Sequence, residues 1–206
     1  MASDYIILLL GKSGTGKSTI ANLAKKKYKL KVLNSYTTRP KRSPNEKGHR
    51  FVTDEEFEKL KKDMCAYTEF DGYKYCATNR QVRSSDIYII DAAGLEYFKE
   101  HYKGKKQIIS VELLAHKKTR YKRMRERGDS FWAARRRLRH DKKAFKSVNT
   151  TITVNANIDD PEKVLDKMMS SVNLYKGVYE ANLPHFEMLA ADIAKKENSN
   201  DSNTDS

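Results

Sequence analysis

Cysteine and long apolar runs are scarce in this chain of 206 residues, and its acidic side chains are well outnumbered by basic ones. Its two cysteines, Cys65 and Cys76, do not make a disulfide framework. Neither sits in a Cys/His pattern with zinc spacing, so both read as reduced thiols. No apolar stretch approaches the length of a membrane span. The opening Met1–Asp4 lacks the basic flank of a signal peptide, so a soluble, cytoplasmic protein with no membrane partner is expected. There is no internal repeat. Acids number 27 against 41 Lys and Arg, a formal net charge of +14. Hydrophobic residues still make up 38%, enough for a globular chain, and this length suits one domain with insertions.

The positive excess is not spread evenly. Between Lys117 and Lys146 there are 14 Lys and Arg against Glu126, Asp129 and Asp141, a local balance of 14 − 3 = +11. Concentration in one helical segment argues against nucleic acid as the main partner. It suits a lid that closes over phosphates, and equally a nonspecific polyanion contact or a solvated basic face.

The strongest motif is Gly11-Lys12-Ser13-Gly14-Thr15-Gly16-Lys17-Ser18, which fits G-x-x-x-x-G-K-[ST], the phosphate-binding loop. Its context is right. Tyr5–Leu10 is a short apolar run of the buried parallel type, and Lys17–Lys27 has helical periodicity. Glycines let successive N–H groups turn inward on a polyphosphate, and the helix start adds partial positive charge. Lys17 reaches the β- and γ-phosphates, and the Ser18 hydroxyl can ligate Mg²⁺.

Further on, Leu30–Leu33 reads as a second strand. Ser35 to Arg42 reads as loop, with two arginines three apart and hydroxyls just upstream, suited to a phosphate monoester. Phe51-Val52 is a strand fragment, and Thr53 to Glu56 is a capping box opening a helix to Lys62. Ala66–Phe70 and Tyr73–Thr78 form a hairpin about Asp71-Gly72. A short helix or turn follows over Asn79–Ser85. Ile87–Ile90 is a buried strand ending in Asp91, placed to accept from Mg²⁺-bound water near the loop. A helix over Leu95–Tyr102, a strand over Gln107–Val111 and two basic helices, His116–Arg127 and Ser130–Phe145, come next. Thr150–Val154 is the last strand, and Asp160 caps a helix that Pro161 begins. From about Glu197 the chain is expected to be a disordered polar tail.

Taken together these motifs resemble the guanylate kinase family over about Tyr5 to Met169. Gly11–Ser18 matches that family's phosphate loop, with Lys12 where proline is usual. Ser35–Arg42 looks like its monophosphate loop and Glu69–Tyr75 like its Glu-Phe-x-Gly-x-x-Tyr hairpin. Arg127-Gly128, Arg137-Leu138 and Val154-Asn155 look like its lid and last strand. The resemblance implies an α/β fold: a P-loop core with a parallel sheet flanked by helices (1–34, 86–115, 147–195), a β-rich insertion for the monophosphate (35–85), a basic helical lid (116–146) and the tail (196–206). It implies ATP held by Gly11, Ser13, Gly14, Thr15, Gly16, Lys17, Ser18, Thr19 and Asn155, with Mg²⁺ at Ser18 and Asp91. Ser35, Arg39, Arg42 and Tyr75 would hold the acceptor phosphate, with Asp91 beside it. Lys17, Arg39, Arg127 and Arg137 would carry catalysis.

The base-reading positions depart from the family. Ala66 stands where its guanine-reading glutamate falls, Ala77 where a hydroxyl falls, Ile89 where an aspartate falls, and His49 where a tyrosine falls. Glu69 faces away by strand alternation. The expectation is a nucleoside monophosphate kinase using ATP and Mg²⁺, monomeric or homodimeric, with relaxed or altered base choice. Two alternatives stay open. One is a non-catalytic module of this fold that binds phosphorylated or acidic peptides; the other is a kinase of another small phosphorylated molecule.

Overall fold

The computed structural model describes residues 3–41, 43–157 and 160–201, with side chains described as far as residue 184. The chain divides into two compact units, Met1–Met168 and Met169–Ser206. The first unit is built on β1 (Tyr5–Leu10), in which Ile6 to Leu10 are completely buried. Removing one such side chain from water stabilises the fold by roughly 1.5–3 kcal/mol, so this strand anchors the core. It lies between β6 (Ile87–Ile89) and β7 (Gln107–Leu114), and β8 (Ile152–Asn155) follows, giving the order β6-β1-β7-β8 with every pair parallel. Around these strands run α1 (Lys17–Lys27), α4 (Ala92–His101), α5 (Lys117–Glu126), α6 (Phe131–Ala144) and, as far as Met168, the start of α7 (Pro161–Asp201). The expected second strand over Leu30–Leu33 reduces to one bridge between Val32 and Ile87.

The insertion forms a second sheet, order β3-β2-β5-β4, from β2 (Ser35–Thr37), β3 (His49–Phe51), β4 (Met64–Phe70) and β5 (Tyr73–Thr78). Ser35–Thr37 is thus a strand where loop was expected. It pairs with β3 in parallel and with β5 antiparallel, and this pairing imposes extension on a stretch without periodicity of its own. The β4–β5 hairpin turns through Asp71 and Gly72 at φ of 52° and 78°, the two positive values that a tight hairpin needs. Both sequence-predicted caps are formed around α2 (Asp54–Leu60) and α7. Thr53 and Glu56 make a reciprocal capping box, and Asp160 Oδ1 accepts from Glu162 N–H at 2.9 Å. A short helix, α3 (Asn79–Arg83), closes the insertion.

The second unit is the continuation of α7, which carries Pro184 within it. The helix runs on through Asp201, so Glu197–Asp201 is helical where a disordered tail was expected. The rest of that tail lies outside the described residues.

Candidate functional site

At the carboxyl end of β1 the chain turns through the phosphate loop into α1. Gly14 has φ of 81°, and a Cβ there would meet the Arg120 carbonyl oxygen at 2.6 Å. Only glycine fits a left-handed residue pressed against another backbone. Gly16, at φ 99°, is the N-cap of α1 and gives no side-chain hydrogen bond. The first amides of α1 therefore have no side-chain acceptor, the arrangement that suits an anion.

Lys17 Nζ donates to the Gly11 carbonyl at 2.5 Å. Burial pushes its pKa down to about 8, opposed by Asp141 and Asp91 and assisted by Arg127 and Arg120. It is a cation short of negative charge. An arriving polyphosphate restores the ordinary pKa and so draws a proton onto any lysine that has lost one. The sign follows. Below pH 8 the lysine is charged and ready; above it the empty site loses its proton. We expect the affinity for ATP, measured by titration across pH 6.5–9.5, to hold up to about pH 8. Above that it should weaken by up to about tenfold per pH unit.

The next groups lie on α6. Asp141 is 4% exposed and accepts from the Ser13 amide at 2.9 Å and the Ser13 hydroxyl at 3.2 Å. It also pairs with Arg120 of α5 at 2.7 Å, whose guanidinium reaches the Ser13 carbonyl at 3.3 Å. The phosphate loop is therefore tied to both basic helices by one buried ion pair.

Two cavities share the loop as a wall. The first, about 220 Å³, runs from Gly11 and Lys17 to Ser35, His49 and Tyr75 of the insertion, with Tyr88 and Asp91 along its side. Thr68 joins the two sheets by donating to Asp91 Oδ2 at 2.9 Å, while Asp91 Oδ1 caps α4 at the Gly94 amide. Ser35 Oγ lies 2.9 Å from His49 Nδ1. The second cavity, about 270 Å³, again includes Lys17 and Asp91 and is closed by Glu69, Arg137 and His140.

The expected arginines are held by internal acids. Arg39, 7% exposed, forms a fork with Glu46 at 2.7 and 3.3 Å, which holds its pKa above the usual range. Its Nε is buried without a hydrogen-bond partner. Arg127 pairs with Asp129 at 2.7 Å, and Arg137 lies 3.9 Å from the same carboxylate. Arg42 lies outside the described residues.

A family model described as an AAA domain matches residues 7–144. The chain belongs to the AAA domain family. No curated protein matches it in sequence. Among solved structures it is similar to a guanylate kinase from Anaplasma phagocytophilum, at TM-score 0.56 and 19% identity over 85% of this chain and 88% of that one. It is also similar to a gluconokinase from Sinorhizobium meliloti 1021, at TM-score 0.51 and 14% identity over 87% and 98%. The expected fold is the observed one: a P-loop kinase-type core, parallel sheet inside and helices outside. Among the described residues no helix is long and apolar enough to cross a membrane.

Within this AAA-domain chain the expected site residues Ala66, Ala77, Asn155 and Thr19 line neither of these two cavities. Ala66 and Ala77 are 1% and 0% exposed and pack in the main core with Leu8, Leu33 and Val82. They line neither cavity, so their small side chains open no room beside a substrate. Asn155 lies in a separate cavity with Thr15, Glu112 and His116, its side-chain oxygen taken by the Asn157 amide at 3.0 Å. Thr19 instead lines a cleft with Arg123, Ala156 and Pro161. Ile89 does line the cavity facing the insertion. Sequence reasoning missed Asp141, Asp129 and Tyr88. Asp141 left a signal: it continues the apolar spacing of Ala134 and Leu138 on a helix otherwise crowded with cations. Tyr88 left none, since an aromatic in a buried strand reads as core.

Proposed function

We propose that this protein is an ATP-dependent kinase that transfers the γ-phosphoryl group to a nucleoside monophosphate. The observation that carries the reading is the position of Lys17, which lines both the cavity facing the insertion and the cavity closed by Arg137. A phosphoryl group at that junction would lie between a donor on the loop and an acceptor in the insertion. Phosphoryl transfer asks mainly for alignment and for cations where charge builds up, and no protein nucleophile is needed.

In this reading the loop amides and Lys17 hold the donor phosphates. Arg39, Ser35 and Tyr75 hold the acceptor phosphate, which competes with Glu46 for the Arg39 fork. Arg127 and Arg137 leave Asp129 for the transferring group when the lid engages, so their contact strengthens in the transition state. The exposed Ser18 hydroxyl makes no described hydrogen bond, and the Asp91 carboxylate has accepted two hydrogen bonds of about four possible. These two oxygen-bearing side chains would hold a Mg²⁺ ion, which would supply positive charge beside the phosphates.

The base would meet a wall of Tyr67, Phe70, Tyr88 and Ile89 with no carboxylate at positions 66 or 89. Glu69 is engaged by the Tyr67 hydroxyl. Tyr88 is 5% exposed and makes no described hydrogen bond, and burial holds its pKa well above the ordinary value, so it stays a neutral donor. Such a wall selects loosely, because apolar contacts discriminate by only ~1–3 kcal/mol per methylene. The test is ADP release over GMP, dGMP, dAMP, dTMP, dUMP, a 5-substituted dUMP and gluconate. Comparable rates among several monophosphates, or a maximum away from guanine, are expected. A hundredfold preference for the guanine pair overturns the relaxed base choice. Turnover of gluconate alone moves the protein to the chemistry named for its second structural neighbour. No turnover of any, with binding of acidic peptides, makes it a binding module.

A further inference from the structure

Helix α6 has two polar faces. Arg137, His140 and Asp141 look onto the cavity that contains Lys17. Half a turn away, Arg135, Arg139 and Lys142, spaced i, i+4 and i+7, look onto a different concavity of about 240 Å³. Lys117 and Arg120 of α5, Leu138 of α6 and Lys12 of the phosphate loop complete its lining. Arg120 is neutralised by Asp141. Lys117, Arg135, Arg139 and Lys142 make no ion pair or hydrogen bond among the described residues, and all four are exposed.

One turn before Arg135 the same stripe begins with Phe131, 42% exposed, over which the Arg135 guanidinium lies at 5.1 Å. Trp132, the only tryptophan of the chain, is 74% exposed and meets Phe131 edge to face with ring centroids 5.1 Å apart. An exposed indole beside a row of cations without acidic partners contributes little to packing. It is what a single-stranded nucleic acid needs: an aromatic face for a base and guanidinium and ammonium groups for the phosphates that follow. A duplex keeps its bases stacked inside and would use the cations but not the indole. Free nucleotides are too short to span the stripe, which at 1.5 Å per residue covers ~16 Å from Phe131 to Lys142.

We infer that the outer face of α5 and α6 is a binding groove for single-stranded nucleic acid, with Trp132 and Phe131 as the stacking platform and Lys117, Arg135, Arg139 and Lys142 as the phosphate contacts. The uneven charge that argued against nucleic acid divides between two faces, and only the inner one serves the cleft.

Because Trp132 is the sole indole, its own fluorescence reports the contact. Oligothymidylate of twelve nucleotides should quench it at 50 mM salt. Four phosphate contacts give a slope of log affinity on log salt of about −2.8. Arg135→Glu with Arg139→Glu should halve that slope, and Trp132→Ala, followed by anisotropy of a labelled strand, should lose roughly 5- to 100-fold. Kinase turnover in these variants should stay within about twofold, since none of the three residues faces the cleft, so failure here and failure of the kinase reading are separate results. No quenching at 50 mM salt overturns the proposal. So does equal binding of a duplex or of inorganic polyphosphate with no effect of Trp132→Ala, which would leave a charge-only surface. Unchanged affinity in the double-glutamate variant would overturn the groove.

Discussion

Lys17→Ala is expected to lower ATP-dependent phosphoryl transfer by at least about a hundredfold, the loss that follows when one preorganised cation or donor is taken from developing charge. The same variant should melt no lower than the parent. Lys17 holds a charge that burial disfavours, with a pKa of about 8 in the empty loop. Below pH 8 it is charged in both folded and unfolded protein, and folding carries the cost of its lost hydration. Removing the side chain relieves that cost and leaves the backbone of the loop in place through Asp141 and Ser13. Rate and melting temperature are therefore expected to part company, as they do where a residue is kept for function against stability. Measuring both on one preparation checks the assignment. A variant that turns over normally removes Lys17 from the donor site, and one that melts much lower makes it structural.

Much of this arrangement is legible in the sequence, and the legible parts share a cause. The loop, its strand and its helix are local: spacing and glycine at Gly14 and Gly16 suffice, because the backbone conformation is set within a few residues. The same holds for the Thr53–Glu56 box and the Asp71-Gly72 turn. What escapes is decided by distant pairing. Ser35–Thr37 becomes a strand because β3 and β5 flank it, and Leu30–Leu33 stays a single bridge because Val32 meets only Ile87. Ala66 and Ala77 illustrate the limit at the site. A substitution that removes a polar group can be read in one dimension, but whether the vacated position faces substrate or core depends on how two sheets meet. Here they face core, and Tyr88, from the facing strand, takes the wall of the cavity instead. The arginines are legible in the sequence as candidates for binding phosphate. Their resting acids are not, because Glu46 and Asp129 look like ordinary surface charges until the fold folds them back.

The second large effect belongs to Asp141. Both members of the Arg120–Asp141 pair are about 94% removed from solvent, and Arg120 Nε is buried without a hydrogen-bond partner. Asp141→Ala leaves that guanidinium buried and uncompensated, for which a loss of about 3–5 kcal/mol is usual. At about 2–4 °C per kcal/mol for a unit of this size, the melting temperature should fall by about 6–20 °C. Asp141→Asn keeps an acceptor for the Ser13 amide and should lose less. The informative variant replaces both partners, Arg120→Met with Asp141→Leu. With no stranded charge it should regain much of the stability, since paired buried ions and apolar isosteres are often close in free energy. It cannot regain the Ser13 contacts, so a loop restored in stability should still bind ATP less well. Melting temperature and ATP affinity would then separate the two roles of one carboxylate, neutralising Arg120 and setting the loop. If the double variant recovered both, Asp141 would serve the ion pair alone. If Asp141→Ala melted with the parent, the tie between the phosphate loop and the basic helices would not contribute to the fold.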